Sequence, residues 1–368
     1  MSVYLYPVAT QTPATAYPQD DIAERTKRLL GGGDRKTERI IHYLYSQSGI
    51  AKRHSVIEDF LPGHEGGLFF DPTSDSIRVP TTAERNRRYA EEATRLAPQL
   101  AQKAIERCPA LVPSEITHVV TASCTGFFQP GIDFRIVREC GLSPNTPRFH
   151  LGFMGCYAAF PALKLAQTIC QADARAVVLV ECFELCSLHL QMDAAPDNLL
   201  GGSVFADGGG AAIVSARTDL GVPAFRLERF RSTLTPTGED DMAWNIGDHG
   251  FVMRLSTYVP EILHGNIAEA IGPILTDAGL TPEEIRHWAV HPGGRAILDK
   301  VRSALDLCEE SLAASRHVLR EYGNMSSATI FFVLETLYDR RIVDSDEPLL
   351  ALAFGPGLTV ESAILRGV

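Results

Sequence analysis

The sequence predicts an α/β protein of stacked layers built from two copies of one unit, and two observations carry that expectation. The first is a repeat. "PSEITHVV" (113–120) returns as "PEEIRHWAV" (282–290), with Pro113 and Pro282, Ile116 and Ile285, and His118 and His287 all 169 positions apart. The same offset lays Cys156 of "MGCYAAF" over Met325 of "GNMSSATIFF", and the segment after "VVLVE" over "ALAFGPG" (351–357). The second is the text of the strands. "AVVLV" (176–180) and "LLALAF" (349–354) are uninterrupted apolar runs, the signature of sheets buried on both faces and alternating with helices.

Each copy has the same order of elements. A Pro/Glu start leads into a β-branched strand, "ITHVV" or "IRHWAV"; a turn and a helix rich in small residues follow, and then the apolar strand. The polar stretch "ARTDLGVPA" (216–224), with Gly221 and Pro223, marks the division. We expect an N-terminal half, 1–217, carrying a nucleophilic cysteine, and a C-terminal half, 218–368, carrying a histidine and an asparagine.

Bulk properties narrow the partners. The chain has 368 residues and a net charge of -11, which argues against nucleic acid or an anionic membrane. Eight cysteines are scattered with no CxxC and no His/Cys cluster of zinc spacing, so no metal site is expected. "MSVYLYPVATQ" lacks a basic n-region and meets Pro7 early, unlike a secretory signal. The longest apolar stretch, running up to Glu181, is too short to span a bilayer. The expectation is a reduced, cytoplasmic protein with no membrane span.

In a duplicated fold, segments at matching places converge on one region. Cys156 is expected to open a helix in the first half. His291, in "AVHPGG", ends a strand in the second half, and Asn324 opens the helix matching that of Cys156. A thiolate is the nucleophilic form of cysteine, and a helix N-terminus or a neighbouring imidazolium favours it. Gly155 permits a tight elbow beside the substrate. His291 and Asn324 supply N–H donors for a developing oxyanion. Papain-like proteases use the same three residue types in that order, but "FMGCYAA" lacks their motif around the cysteine.

At these residues the chain resembles the type III polyketide synthases, the chalcone synthase-like family of thiolase-fold enzymes. The resemblance runs from about residue 40 to the C-terminus. "GFMGCYAA" is similar to the family's nucleophile motif, "HPGGRAIL" (291–298) to its histidine motif and "YGNMSSA" (322–328) to its asparagine motif. "FGPGLTVE" (354–361), with Gly355 and Pro356, resembles its C-terminal loop signature. The resemblance implies a duplicated, five-layered αβαβα thiolase-like fold with pseudo-twofold symmetry. It implies a homodimer that extends an acyl-CoA starter with malonyl-CoA, with no cofactor beyond these thioesters. Cys156 would hold the growing chain, while His291 and Asn324 stabilise the enolate left by malonyl-CoA decarboxylation and His291 helps keep Cys156 ionised. Phe205 matches a gatekeeper between CoA tunnel and cavity. Glu184, Cys124 and Ser326 fall where members carry a polar network near the thioester.

Some positions depart from the family pattern. The second gatekeeper phenylalanine aligns with Met253, and Gln129 replaces a methionine that crosses the dimer interface. The basic residues expected for CoA phosphates fall on Ile40, Tyr43 and Gln47, leaving Arg39, Lys52 and Arg53 nearby. "SCTGF" (123–127), "ELCS" (184–187) and "MAWNIGDHGFVMRLS" (242–256) are most similar to bacterial members that make alkylpyrones or alkylresorcinols. Small Cys124, Cys186 and Ser187 leave room for a channel beyond the thioester, which Trp244 would narrow. The rival readings are a ketoacyl synthase III-like or HMG-CoA synthase-like condensing enzyme, and a non-catalytic thiolase-fold pathway partner.

Overall fold

The computed structural model describes residues 1–59, 61, 67–71 and 76–368. Ten strands form the main sheet: β1 (Val3–Leu5), β2 (Ala9–Gln11), β3 (His118–Ser123), β4 (Arg148–Gly152), β5 (Val177–Leu185), β6 (Asp207–Ser215), β7 (Phe225–Leu234), β8 (His287–Val290), β9 (Pro348–Gly355) and β10 (Thr359–Gly367). Their spatial order is β8-β9-β10-β7-β1-β6-β5-β3-β4, with β2 also paired to β6. In the first half β3 runs parallel to β5, and β5 antiparallel to β6; in the second, β8 runs parallel to β9, and β9 antiparallel to β10. The two halves meet where β1 pairs antiparallel with β7.

The repeat is reproduced down to its caps. Short 3₁₀ turns at Pro113–Glu115 and Pro282–Glu284 precede β3 and β8. In each, the turn's last glutamate accepts the N–H of the residue ahead of the proline, Val112 in one copy and Thr281 in the other. A proline is tolerated there because the first turn of a helix has no use for its N–H.

Three apolar clusters account for five layers. β5 is buried along its whole length, so alternate residues serve two cores. Val178, Val180 and Cys182 face the central cluster with the helices Ala159–Ala172 and Thr329–Asp339. Val177, Leu179 and Phe183 face an outer cluster built on the helix Thr82–Glu106. The opposite outer cluster joins β8 to the helices Val259–Ala278 and Arg295–Ala304. The two halves of the one continuous sheet thus lie on either side of the central helices, with further helices outside each, the layering that the resemblance implies. No helix of the described residues is long and apolar enough to cross a membrane.

Candidate active site

Cys156 sits one turn ahead of the helix that the sequence expects it to open. Gly155 adopts φ +92°, Ala158 N–H donates to the Gly155 carbonyl at 3.1 Å, and regular helix begins at Ala159. The left-handed glycine makes a separate elbow, so Cys156 stands on a turn in front of the helix. That elbow is held from outside. A Cβ on Gly155 would lie 2.5 Å from Pro356 Cδ, and one on Gly355 would lie 2.5 Å from the Tyr157 ring. The loop after β9 therefore lies against the nucleophile's backbone only because both residues are glycine.

The second half delivers the other two groups. His291 continues the β8 ladder, donating its N–H to the Leu352 carbonyl at 2.8 Å. Its ring is 1% exposed, and neither ring nitrogen has a protein partner. An unsatisfied buried polar group costs about 1–3 kcal/mol, which a bound substrate oxygen would recover. Asn324 precedes a 3₁₀ turn, Ser326–Ala328, with the helix starting only at Thr329. Its Oδ1 accepts from Ser326 N–H at 2.9 Å, which fixes the amide's orientation, and its Nδ2 donates to the Gly293 carbonyl at 3.2 Å. One N–H of that amide is left for the site. Ala206 N–H donates to the Asn324 carbonyl at 2.8 Å, tying it beside Phe205.

Electrostatics of the site are set first by burial. The Cys156 thiol is pushed up to about 11, by burial first and by the Glu184 carboxylate as well, against the opposing hydrogen bonds from Ser326 and Asn324. Burial pushes the His291 imidazole down to about 3. Either charge formed alone is therefore penalised. Cys156 and His291 are not hydrogen-bonded to each other in this structure, and the expected thiolate–imidazolium pair would need the two charges to form together, so that attraction offsets desolvation.

Glu184 lies in β5 beneath the cysteine, wholly buried. Its Oε2 accepts from Cys124 N–H at 2.9 Å and the Thr125 hydroxyl at 2.8 Å, and its Oε1 from the Ser327 hydroxyl at 2.5 Å. Burial raises this carboxyl and the donors oppose that rise. Of the three expected members Glu184 and Cys124 are hydrogen-bonded, Thr125 and Ser327 join them, and Ser326 instead hydrogen-bonds Cys156. Cys124 reaches the elbow directly, its Sγ accepting from Gly155 N–H at 2.9 Å.

One large cavity opens on Cys156, enclosing about 1360 Å³ with the solvent in its mouth. Cys124, Cys186, Ser326, Phe205, Met253 and Pro356 line it, as expected. Gly355, Glu184, His291 and Asn324 are not among its lining residues. Trp244 pairs with Met253 across the hairpin Met242–Gly247/Gly250–Leu255, and its indole N–H donates to the Cys124 carbonyl at 2.8 Å. His189 was not singled out in sequence. It is 5% exposed, stacks on Phe251 at 4.0 Å, accepts Phe251 N–H at Nδ1 and so donates Nε2–H to the Thr125 carbonyl.

The expected CoA cations differ from one another. Arg53 lines the cavity but is 6% exposed, and it spends its donors on Gln19 at 2.9 Å and the Phe205 carbonyl at 2.6 Å. It braces the Phe205 backbone, and a buried, committed guanidinium is not free for a phosphate. Lys52 pairs with Glu321 at 3.4 Å. Arg39 is exposed on the helix Arg35–Ser46, away from the cavity wall. All eight cysteines are free thiols.

A family model described as chalcone and stilbene synthases, N-terminal domain, matches residues 3–218, and the corresponding C-terminal domain matches 226–368. Among solved structures, the fold is similar to PKS-I from the brown alga Ectocarpus siliculosus. That match has a TM-score of 0.89 at 28% identity and covers 100% of this chain and 99% of that one. It is also similar to the C-terminal type III polyketide synthase domain of Steely1, a type I/III hybrid from Dictyostelium. Here the TM-score is 0.88 at 25% identity, covering 100% of both chains.

Proposed function

The chain belongs to the chalcone and stilbene synthase family, as an acyl-transferring condensing enzyme of the type III polyketide synthase kind, and from that premise we propose that it extends fatty acyl-CoA starters with malonyl-CoA. Cys156 passes its proton to His291 and attacks the starter's thioester carbonyl. The carbon–sulfur bond to CoA breaks, and CoA leaves as the thiol with the proton returned by His291. Malonyl-CoA then loses CO2, and the enolate oxygen accepts hydrogen bonds from His291 and Asn324. The enolate carbon bonds to the Cys156 thioester carbonyl and expels the Cys156 thiolate, which leaves the chain two carbons longer on CoA; that thiolate then takes the chain back by the same loading step and releases CoA. Two or three such extensions end in closure to an alkylpyrone or an alkylresorcinol-type ring. Glu184 holds Cys124, Thr125 and Ser327 around the thioester. Two copies act as a homodimer, with Gln129 at or near the shared face.

The observation that carries the starter class is the wall of the cavity. Its lining includes Cys186, Leu190, Met192, Met242 and Met253 beside the rings of Trp244 and Phe251, and the flexible aliphatic and thioether side chains among them favour an aliphatic chain over a rigid aromatic acid. Unbranched Met253 moves aside more easily than a ring. Each buried methylene is worth about 0.8 kcal/mol, so such a tunnel rewards chain length until it is full.

The test is competition between acyl-CoA esters from acetyl to palmitoyl and coumaroyl-CoA, with malonyl-CoA and product mass spectrometry. Medium or long chains should win, and the acyl mass should map to the Cys156 peptide. Aromatic esters outcompeting decanoyl-CoA in kcat/KM would sink the starter assignment.

A further inference from the structure

The cavity does not stop at the thioester. It follows one face of the helix Pro196–Val204, past Phe205, Gly202 and Gly201 to Asn198 and Asp197 near that helix's start. Eight residues of helix make this run about 12 Å long, enough for a medium-length acyl tail. Gly201 and Gly202 are costly in a helix, at roughly 1 kcal/mol each relative to alanine. Protein packing does not demand the first of them. A Cβ on Gly201 would meet nothing nearer than the Phe205 ring at 3.8 Å. The space that this glycine leaves is cavity.

At the far end the cavity meets the N-terminal segment, a helix at Gln19–Thr26 continued by a π-turn at Lys27–Gly31. Its lining residues are Ile22, Arg25, Thr26, Leu29 and Leu30. The spacing i, i+3, i+4, i+7, i+8 is one continuous helical face. Ile22 and Leu30 also pack against a small cluster of Ala23, Ile41, Tyr45 and Leu199, which seats the segment beside the start of the helix Pro196–Val204. Ile22, Leu29 and Leu30 remain only half-buried, so an apolar face is turned to a space continuous with Cys156. Arg25, Asp197 and Asn198 bring polar groups to the same end, where an apolar occupant would stop.

We infer that the segment 19–31 closes the starter tunnel and sets the longest acyl chain that the enzyme accepts, the tail lying along Gly201 and Gly202 and ending against Ile22, Leu29 and Leu30. This rests on the fatty acyl-CoA reading above and adds the residues that measure length. Each methylene up to the Leu29–Leu30 face adds about fourfold to kcat/KM, and those beyond it add nothing.

The experiment measures loading of Cys156 and kcat/KM across even-numbered acyl-CoA esters from hexanoyl to palmitoyl, in wild type, Gly201→Leu, Leu29→Trp and Leu30→Ala. Gly201→Leu should impose the shortest cut-off, and Leu29→Trp an intermediate one with at least a tenfold fall in the dodecanoyl-to-hexanoyl ratio. Leu30→Ala should move the cut-off to longer chains. The changes run in opposite directions, so general damage to the fold cannot mimic them. Cys156 loading with an unmoved cut-off in Leu29→Trp and Leu30→Ala overturns this inference alone. A wild-type protein that loads no acyl-CoA ester overturns the reading beneath it as well.

Discussion

At the residue scale, the reactive cysteine depends on a neighbour that burial also disfavours. Burial, with the Glu184 carboxylate adding to it, holds the Cys156 thiol up at about 11, and burial takes His291 down to about 3. In the proposed mechanism His291 supplies the positive charge that brings the thiolate down into the neutral range. Removing it leaves burial and the Glu184 carboxylate, which both raise the thiol, opposed by hydrogen bonds from Ser326, Asn324 and the cysteine's own backbone. The sign is therefore fixed: without the imidazolium the thiolate loses its counter-charge, so His291→Ala moves the thiol's titration upward and depletes thiolate at neutral pH. We expect the rate of Cys156 alkylation by iodoacetamide at pH 7 to fall more than tenfold in His291→Ala, with the inflection displaced to higher pH. Coincident pH profiles for variant and wild type would remove His291 from this role. Asn324 is placed to act differently, since its amide is already oriented by Ser326 N–H and the Gly293 carbonyl.

At the element scale, the site is a matter of turns pressed together more than of helices and strands. The loop after β9 touches the Cys156 elbow through Gly355, where an added Cβ would stand 2.5 Å from the Tyr157 ring and 3.5 Å from Cys156 N. Gly355 has no left-handed φ, so Gly355→Ala acts by contact alone. A displacement of the elbow of order 1 Å costs about 100-fold in rate, against a destabilisation of about 1–3 kcal/mol for overpacking. We expect kcat to fall about 100-fold with a cooperative urea transition retained. Wild-type kcat in that variant would show that the contact does not aim the cysteine. The three candidate site residues were nominated from local motifs, and the repeat and the buried strands were legible because they are periodic. Arg53 was not, since Gln19 and the Phe205 carbonyl, 34 and 152 positions away, take its donors. Nor was the role of the N-terminal segment. The 22/25/26/29/30 face reads as ordinary amphipathic helix, and only the tertiary fold turns it towards a cavity.

At the scale of the whole molecule, the sheet has a conspicuous open end. β4 lies at its edge beyond β3, and Arg148, Phe149, His150 and Gly152 of that strand are exposed. An edge strand offers a row of unpaired N–H and carbonyl groups, and proteins ordinarily shield such edges. Here it carries large apolar side chains: Phe149 is 41% exposed and Phe127, packed on Phe153 at 5.7 Å, is 38% exposed. Gln129 borders the adjoining surface hollow with Phe127, Phe128 and His150. The proposed homodimer is best served by this face, because pairing two β4 edges covers the open groups and the phenylalanines together. It would also bring Gln129 of each copy towards the other's nucleophile-bearing half. A specific interface of this kind buries more than about 1,000 Å², and a charge in its apolar middle is strongly unfavourable. Phe149→Lys should therefore convert the protein from dimer to monomer by light scattering at micromolar concentration. A variant that stays dimeric would place the interface elsewhere, and a wild type that is monomeric and fully active would end the dimer proposal.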